Sequence, residues 1–376
     1  MKRPDVDTRG WWGRTAEWIL PGHPDKLCDA ICDAIVQAAM TRDARALVGV
    51  EAAVHRNKVF ITGRIAGERC ARFQIPRLVR KVYESAGYGD RNGVELDALE
   101  ISTDLDRGRL FPGEAELREI SDDQSIVIGY ACSTPGCHGL PVEQALARTL
   151  GLSLHGVVGG ELGPDGKVLV EVRESPDGDA WELDLVTVSL MHAEQWNPVQ
   201  AQEAVGAALL RATRAFVSRV PGFRIPRSLP LRFNPCGHFA CGGPDGDNGL
   251  SGKKLVVDFY GPRIPIGGGA MSGKDFWKVD RAGPIIARET AIEAVERFGC
   301  KSALVTLGIS PGDRAFRLLR VDAENGIGLD HTALSRRIDL RLCSRADWWQ
   351  HQDLVEVSRW GHFGNEPPSP SVAVAG

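Results

Sequence analysis

The sequence predicts an α+β fold built from three similar units, each a small sheet with helices on one face. Pairs of β-rich runs occur three times along the chain, and each pair is accompanied by a helix with apolar residues at spacings of three and four. Helices packed on one face of a sheet bury both apolar surfaces, which is why this pattern indicates an α+β architecture. Similarity between the three rounds at individual positions is too weak to prove a repeat.

The first unit begins with a helix and a hairpin. Helical spacing of apolar residues follows the pair Pro24 and Asp25, which has the sequence of a first helical turn. The runs LVGVEAAV and VFITGRIAG predict a hairpin that turns at residues 55–58, with Glu51 in its first strand and Arg64 near the end of its second. The unit is completed by a helix over residues 71–85 and a strand over residues 99–102.

The connection after the first unit has no clear period. Residues 105–122 contain both Pro and Gly. A connection of this length without structure of its own is often an active-site lid.

The second and third units continue the same alternation. Their predicted elements are a strand over residues 125–132, a helix over 141–154, strands KVLVEVRE and WELDLVTVSL joined at 176–179, a helix over 197–218, a strand LVVDFYG, a helix that ends at Phe298, strands SALVTLGI and AFRLLRVDA, and a helix over 331–338. We expect the units to span residues 14–108, 122–222 and 223–365, with a disordered tail over residues 366–376.

Composition and charge exclude several classes of protein. Net charge is −4, from 45 basic and 49 acidic residues, so there is no broad basic field for nucleic acid and no polybasic stretch for a membrane surface. The N-terminus lacks an apolar core of signal-peptide length, and no long apolar run occurs, which predicts a cytoplasmic protein. The nine cysteines form no CxxC pair, so neither a zinc site nor a disulfide framework is expected.

Residues 267–281, GGGAMSGKDFWKVDR, are the first candidate for a binding site. Three glycines precede Lys274, Asp275, Lys278 and Asp280, so an exposed turn is followed by alternating cations and carboxylates. Glycine permits close approach to backbone N–H groups, lysine neutralises phosphate, and aspartate holds a hard cation. This predicts polyphosphate with magnesium, although a solvated polar loop would have the same composition. A Walker A reading is disfavoured, because Asp275 stands where that motif needs Ser or Thr.

Two further polar clusters strengthen this interpretation. His23, Asp25 and Lys26 crowd a helix N-terminus, which suits a phosphate, while the alternative is a capping Asp25 beside a surface His23. Residues 234–254 are again dense in glycine and end on Lys253 and Lys254. The cations of all three clusters are His23, Lys26, Lys253, Lys254, Lys274 and Lys278, and the potential metal ligands are Asp25, Asp247 and Asp280.

These segments together resemble the S-adenosylmethionine synthetases, also called methionine adenosyltransferases. The family's GHPDK stands at residues 22–26, its GGP-GD-GLTGRK as GGPDGDNGLSGKK, and its HGGGAFSGKDPxKVDR as IGGGAMSGKDFWKVDR. Weaker matches are PDGK, the DQ pair and HFG at residues 164–167, 123–124 and 362–364. The resemblance runs in order from about residue 14 to residue 365.

The resemblance implies a fold, an assembly and a reaction. The fold would be three interlocked α+β domains in a pseudo-threefold arrangement, in a tight homodimer whose active sites use both subunits. Pairing of two dimers into a tetramer stays open. In this family the sulfur of methionine attacks the ribose 5′ carbon of ATP, and the triphosphate leaves before it is cut to diphosphate and phosphate. The family uses two Mg²⁺ per site and K⁺.

The resemblance also assigns roles to individual positions. His23 would lie by the ribose and the bridging oxygen, Asp25 and Asp280 would hold magnesium, and Glu51 matches the carboxylate tied to potassium. Positions that match phosphate-binding residues, or the charged motif around them, are Lys26, Lys167, Lys253, Lys254, Lys274 and Lys278. Positions that line the nucleotide and sulfur pocket are Glu17, Asp165, Asp247 and Phe239, and those that touch methionine are Asp123 and Lys278.

Two positions depart from the family pattern, one of them on the side of the sulfur substrate. Arg64 occupies the place of a glutamate that pairs with the methionine amino group, and an arginine there would attract a carboxylate instead. Lys253 replaces an arginine and so loses its bidentate fork. The sequence thus predicts a divergent synthetase that adenosylates methionine. Its alternatives are a paralogue that acts on a different thioether, a catalytically poor regulatory subunit, and a hydrolase that has lost the sulfur half-reaction.

Overall fold

The computed structural model describes residues 10–70, 73–89, 94–325 and 329–364. The strands are β1 (Trp12–Ile19), β2 (Leu47–His55), β3 (Lys58–Ala66), β4 (Glu100–Gly108), β5 (Ser125–Cys132), β6 (Leu162–Glu174), β7 (Trp181–His192), β8 (Phe223–Arg224), β9 (Leu231–Phe233), β10 (Gly249–Leu250), β11 (Ser302–Ile309) and β12 (Arg317–Glu324). The α-helices are α1 (Pro24–Arg42), α2 (Ile75–Ala86), α3 (Val142–His155), α4 (Pro198–Val217), α5 (Leu255–Asp258), α6 (Val279–Phe298), α7 (His331–Ser335) and α8 (Leu354–Trp360).

Within these residues the strands form three sheets, of which the first two mix parallel and antiparallel pairs and the third is antiparallel. One sheet has the order β1-β6-β7-β8, with β9 also paired to β7, the second has the order β10-β2-β3-β4, and the third has the order β12-β11-β5. The three predicted hairpins are all antiparallel pairs: β2 with β3, β6 with β7, and β11 with β12. The fold is therefore α+β, as the sequence predicts.

Strand exchange interlocks distant parts of the chain. The N-terminal strand β1 pairs with β6, β5 pairs with β11, and the two-residue strand β10 pairs with β2. Each sheet thus takes strands from more than one of the predicted segments 14–108, 122–222 and 223–365. Because these strands would leave unpaired edges if the segments separated, we expect the segments to unfold together.

Helices cover one face of each sheet and bury its apolar side. Helix α1 packs against β2 and β10, α3 packs against β1 and β6, and α6 packs against β5 and β11. The first two interfaces belong to one continuous apolar core, whereas α6 and the three-stranded sheet enclose a second. Cys28 and Cys32 of α1 lie in the first core and are fully inaccessible. Helix α1, whose N-terminus belongs to the predicted site, is thus almost entirely buried.

Two predicted elements differ from the structure. The run LVVDFYG does not form a strand, because residues 255–258 make the short helix α5 and the buried Asp258 contacts Lys26. The predicted lid over residues 105–122 is partly ordered, since β4 extends to Gly108 and residues 116–118 form a 3₁₀ turn. Short apolar runs do not distinguish strand from helix by period alone, and here a buried ion pair decided between them.

Among the described residues, no helix is long and apolar enough to cross a membrane. The tail predicted over residues 366–376 lies outside the described residues.

Candidate active site

The N-terminus of α1 is capped by His23. The Nδ1 atom of His23 accepts a hydrogen bond from the Asp25 amide at 3.2 Å, and Pro24 stands in the first turn. His23 is 3% exposed and Asp25 is 1% exposed. The alternative interpretation, a capping Asp25 beside a surface His23, is therefore wrong. Because Nδ1 is the acceptor, the ring proton of neutral His23 belongs on Nε2.

Burial and neighbouring cations keep His23 neutral. Burial lowers the pKa of His23 to about 3, and the positive charges of Lys167, Lys254, Lys26 and Lys253 add to the effect. Lysines from α1, from strand β6 and from the loop after β10 therefore surround one imidazole. A neutral ring with a free N–H among cations can donate a hydrogen bond to an anion without a change of charge.

A row of carboxylates on α1 holds the two glycine-rich loops. Asp25, Asp29 and Asp33 follow each other at four-residue spacing, so they lie on one face of the helix. All three are essentially inaccessible to solvent. Each accepts a backbone hydrogen bond, from Leu250 at 3.0 Å, from Gly252 at 2.8 Å and from Gly273 at 2.9 Å, respectively.

Asp29 and Asp33 were not among the predicted site residues. The signal in the sequence is the run DKLCDAICDA, which places an acidic residue every fourth position on an otherwise apolar helix. A buried carboxylate at such a position requires a hydrogen-bonding partner.

Lys26 faces the interior. Its Nζ atom donates to the Ser358 carbonyl at 2.9 Å and pairs with Asp29 at 3.3 Å and with Asp258. Burial alone would lower the pKa of Lys26, but the two carboxylates outweigh it and the pKa is raised. This placement does not support the direct phosphate contact expected for Lys26, because its charge is already used within the protein.

Lys167, on β6, is exposed. Four other lysines are partly exposed, and each lies beside a carboxylate. Their side chains are 21% to 43% exposed. The pairs are Lys253 with Asp25 at 3.7 Å, Lys254 with Glu17 at 4.0 Å, Lys274 with Asp280 at 2.6 Å, and Lys278 with Asp122. Phosphate oxygens can replace the carboxylates around the lysines, and a divalent cation can take the carboxylates so released.

Glycines bring the loops close together at three points. A Cβ on Gly269 would lie 2.0 Å from Cγ of Asp280, and one on Gly252 would lie 2.7 Å from Cβ of Ala270. At the entrance to α1, a Cβ on Gly22 would lie 2.5 Å from the Pro164 carbonyl oxygen. The motifs at residues 22–26, 164–167, 242–254 and 267–281 therefore converge on one site.

Asp275 has a structural position. Its Oδ2 atom accepts from the Val48 amide at 2.6 Å, its Oδ1 atom accepts from the Trp277 amide at 2.9 Å, and its own amide donates to the Val48 carbonyl at 3.0 Å. These bonds fasten the loop to β2. Since Asp275 is buried and occupied, its position does not serve the metal-binding role of the Walker A hydroxyl.

The residues predicted for the nucleotide pocket include Asp165 on β6, and Phe239 and Asp247 between β9 and β10. Asp165 is buried and accepts from the Gly243 amide at 2.8 Å, and burial raises its pKa to about 6. Asp247 lies close enough to Asp165 to add to that rise and is itself exposed. Phe239 is half-buried, and its amide donates to His192 at 2.7 Å.

Asp122 and Asp123 lie near the predicted methionine-contacting residue Lys278. Asp122 accepts a hydrogen bond from Nζ of Lys278. Asp123 is exposed, and its Oδ1 atom accepts from the Gln124 amide at 2.7 Å. The sequence of two adjacent aspartates does not indicate which of them contacts Lys278.

Arg64 is held by carboxylates of its own chain. Its guanidinium makes two hydrogen bonds of 2.8 Å to the carboxylate of Glu114, pairs with Asp106, and stacks 3.8 Å from the centre of the Phe111 ring. The hydrogen bonds from Arg64 lower the pKa of Glu114, and Lys278 adds to this. The predicted lid is therefore attached to Arg64 on the side of the site that contains Lys278.

The oxygen donors present suit a hard cation. Asp25 and Asp280 each lie beside a lysine, and Glu51 is exposed and accepts from the Ser251 hydroxyl. Within the described part of the chain, no group of three or more His, Cys, Asp or Glu side chains could hold a metal alone. Magnesium is commonly held by one or two carboxylates with phosphate and water, which these residues can supply.

Fold and site together define an α+β protein in which glycine-rich loops bring lysines and carboxylates together. Comparison with known proteins identifies the family. Residues 13–108 match the S-adenosylmethionine synthetase N-terminal domain, and residues 241–366 match the C-terminal domain. The chain belongs to the S-adenosylmethionine synthetase family.

Individual relatives agree with this assignment over nearly the whole chain. A protein of Rhodospirillum rubrum named S-adenosylmethionine synthase 1 is 36% identical over 94% of this chain and 93% of its own. The S-adenosylmethionine synthase of Rhodospirillum centenum is 32% identical over 94% of this chain and 92% of its own. That of Thermosynechococcus vestitus is 37% identical over 74% of this chain and 71% of its own.

Proposed function

We propose that this protein transfers the adenosyl group of ATP to the sulfur of methionine. The products are S-adenosylmethionine, diphosphate and phosphate. The observation that carries the proposal is the set of lysine and carboxylate pairs on the glycine-rich loops, together with the neutral His23, because it matches the charge of a triphosphate with its cations.

The transfer is a displacement at carbon. A lone pair of the methionine sulfur forms the bond to C5′ of ATP, the bond from C5′ to O5′ breaks, and the triphosphate leaves with that electron pair. Water then cleaves the triphosphate to diphosphate and phosphate. Such a step needs alignment of the reactants and stabilisation of the leaving group more than acid or base catalysis.

His23 and the exposed or partly exposed lysines stabilise the leaving group. We assign the Nε2 proton of His23 to a hydrogen bond with the bridging oxygen, where negative charge develops. Lys253, Lys254, Lys274 and Lys167 bind the phosphate oxygens, and Lys278 lies at the acceptor end, beside Asp122. Asp25 and Asp280 would hold two Mg²⁺ and Glu51 would serve K⁺, ions that neutralise triphosphate and order the site.

The first test is formation of the sulfonium product. The purified protein is incubated with ATP, Mg²⁺ and K⁺, with and without methionine, and the products are identified by mass spectrometry. We expect S-adenosylmethionine only when methionine is present. Release of phosphate at the same rate without any thioether would contradict the proposal and favour a hydrolase.

A thioether acid without an amino group is a second candidate for the acceptor. The bidentate contact between Arg64 and Glu114 supports it, since a substrate carboxylate could take the place of Glu114. The presence of two carboxylates around Arg64 supports methionine instead, because they offset the repulsion of an ammonium group. Because both acceptors would meet the same guanidinium, the preference of the enzyme between them decides which one it uses.

The comparison measures kcat/KM on methionine and on its des-amino analogue. Glu114→Gln frees Arg64 and is expected to shift the preference toward the analogue, while Glu116→Gln, exposed in the same segment, leaves it unchanged. A preference of the unmodified enzyme for methionine above about a hundredfold, roughly 3 kcal/mol, removes the second candidate.

We also propose that a second copy of the chain covers the outer face of the β10-β2-β3-β4 sheet. Glu51 and Arg64 lie on this face, and Phe60 is 46% exposed there. A homodimer built on it would bring two sites together. Light scattering on the purified protein should give twice the chain mass, and Phe60→Asp should reduce it, whereas Leu319→Asp on β12 should not.

A further inference from the structure

The two glycine-rich loops have no regular structure of their own at the residues that precede their lysines. Lys253 follows Gly252 and Lys274 follows Gly273. Both glycines have positive φ, 71° and 85°. The direction of each lysine therefore depends on what fixes the glycine before it.

In both loops that glycine is fixed by α1. The Gly252 amide donates to Oδ1 of Asp29 at 2.8 Å, and the Gly273 amide donates to Oδ1 of Asp33 at 2.9 Å. Asp29 and Asp33 lie one helical turn apart, about 6 Å along the axis. Strand β2 also holds both loops, through the Gly273 carbonyl and the Ser251 amide, and α1 adds the contacts that hold the two glycine amides.

Buried cations of the protein itself pair with both carboxylates. Lys26 pairs with Asp29 and also with Asp258 of α5. Arg281 pairs with Asp33, and its Nε atom donates to the Met271 carbonyl at 2.7 Å. Because the counter-charges are inside the protein, a bound anion does not have to replace them.

We propose that Asp29 and Asp33 are positioning residues that fix the Gly252 and Gly273 amides and thereby aim Lys253 and Lys274 at the triphosphate. This inference rests on the function proposed above. Neither carboxylate touches the substrate. Each acts through one backbone amide on a lysine that does.

The test uses a ligand that needs neither adenosine nor an acceptor. Binding of inorganic tripolyphosphate with Mg²⁺ is measured by calorimetry for the intact enzyme, Asp29→Asn and Asp33→Asn. Asparagine fills the same volume but places an amide beside Lys26 or Arg281. We expect the dissociation constant to rise about tenfold in each variant, as for a weakened hydrogen bond to a charged acceptor.

If Asp29 and Asp33 had only a structural role, their loss would not change KM for ATP without also changing KM for methionine. We expect KM for ATP to rise with the tripolyphosphate constant, while KM for methionine stays within about twofold. The matched control is Glu143→Gln. It removes a buried carboxylate of α3 that pairs with Arg263. If Glu143→Gln weakens tripolyphosphate binding as much as Asp33→Asn at equal loss of thermal stability, the inference is overturned.

A second measurement covers the case in which a variant does not fold. Hydrogen exchange of the unmodified protein without ligand should show the Gly252 and Gly273 amides already protected. Free exchange of both amides would overturn the inference without any variant.

The outcomes also separate this inference from the proposed function. Tripolyphosphate binding that depends on Asp29 and Asp33, without S-adenosylmethionine formation, would reject the proposed reaction and keep the inference. Formation of S-adenosylmethionine, with unchanged tripolyphosphate binding in both variants, would keep the proposed reaction and reject the inference. No binding of tripolyphosphate by the unmodified protein would reject both.

Discussion

Lys26 and Lys274 are lysines of two charged motifs, but the structure gives them opposite surroundings. Lys26 is fully buried between Asp29 and Asp258, whereas the side chain of Lys274 is 22% exposed beside Asp280. The inner cation cannot exchange its partners without exposing a buried charge. The outer cation can exchange a carboxylate for a phosphate at small cost. Burial, and not residue type, thus separates a positioning charge from a binding charge.

The largest effect is expected when the buried ion pairs of Lys26 are broken. Lys26→Met leaves Asp29 and Asp258 without their cation, so we expect a loss of about 3–5 kcal/mol in the free energy of unfolding. Urea denaturation measures it. Lys58→Met, whose exposed lysine lies 3.9 Å from Glu100, is the control and should lose less than about 1 kcal/mol. A loss below about 1 kcal/mol for Lys26→Met would mean that the buried pair does not differ from a surface pair.

Loss of the outer pair, Lys274 with Asp280, should reduce activity strongly and stability little. For Lys274→Ala we expect kcat/KM to fall about 10²- to 10³-fold, because a charge aimed at the leaving group is lost. The free energy of unfolding should change by less than about 1 kcal/mol. Steady-state assays and urea denaturation of the same preparation test both values, with Lys81→Ala on the exposed face of α2 as the control. Equal losses of stability for Lys274→Ala and Lys26→Met would remove the distinction.

The pH dependence of stability sharpens the comparison for the inner carboxylates. Burial raises the pKa of Asp33 to about 6, although Arg281 opposes the rise. The unfolded value is about 3.9, so the folded state binds the extra proton between about pH 4 and 6, and stability falls as pH rises through this range.

Asp33→Asn should therefore reduce that fall by about 2–3 kcal/mol. Urea denaturation at pH 4.5 and pH 7 measures it. Asp97→Asn, at a fully exposed side chain, should leave the slope unchanged. An unchanged slope in Asp33→Asn would show that Asp33 titrates as an ordinary surface carboxylate.

The smallest expected effect concerns the outer carboxylate Asp280. Gly269→Ala places a Cβ 2.0 Å from its Cγ and must displace the side chain, whereas Gly268→Ala meets no atom within 4 Å. We expect the Mg²⁺ concentration for half-maximal activity to rise about tenfold in Gly269→Ala and to stay unchanged in Gly268→Ala. Equal behaviour of the two adjacent variants would argue against a metal at Asp280.

Local sequence determined most of the elements of this protein. Apolar periodicity predicts α1, α3, α4 and α6, and turn residues predict the three hairpins, because these signals act within a few residues. The motifs at residues 22–26, 242–254 and 267–281 predict a charged site in the same way, since alternating cations and carboxylates after glycine are visible in the chain itself.

Only the tertiary structure decided what each charged residue does. Lys26 and Lys253 both look like phosphate ligands in the sequence, but the first is enclosed by Asp29 and Asp258. Asp122 contacts Lys278, and Arg64 contacts Glu114 from a segment predicted as a lid. The roles of Asp29 and Asp33 depend on amides more than two hundred positions away, at Gly252 and Gly273. Burial and long-range hydrogen bonds set these roles, and neither is encoded in the local pattern of the chain.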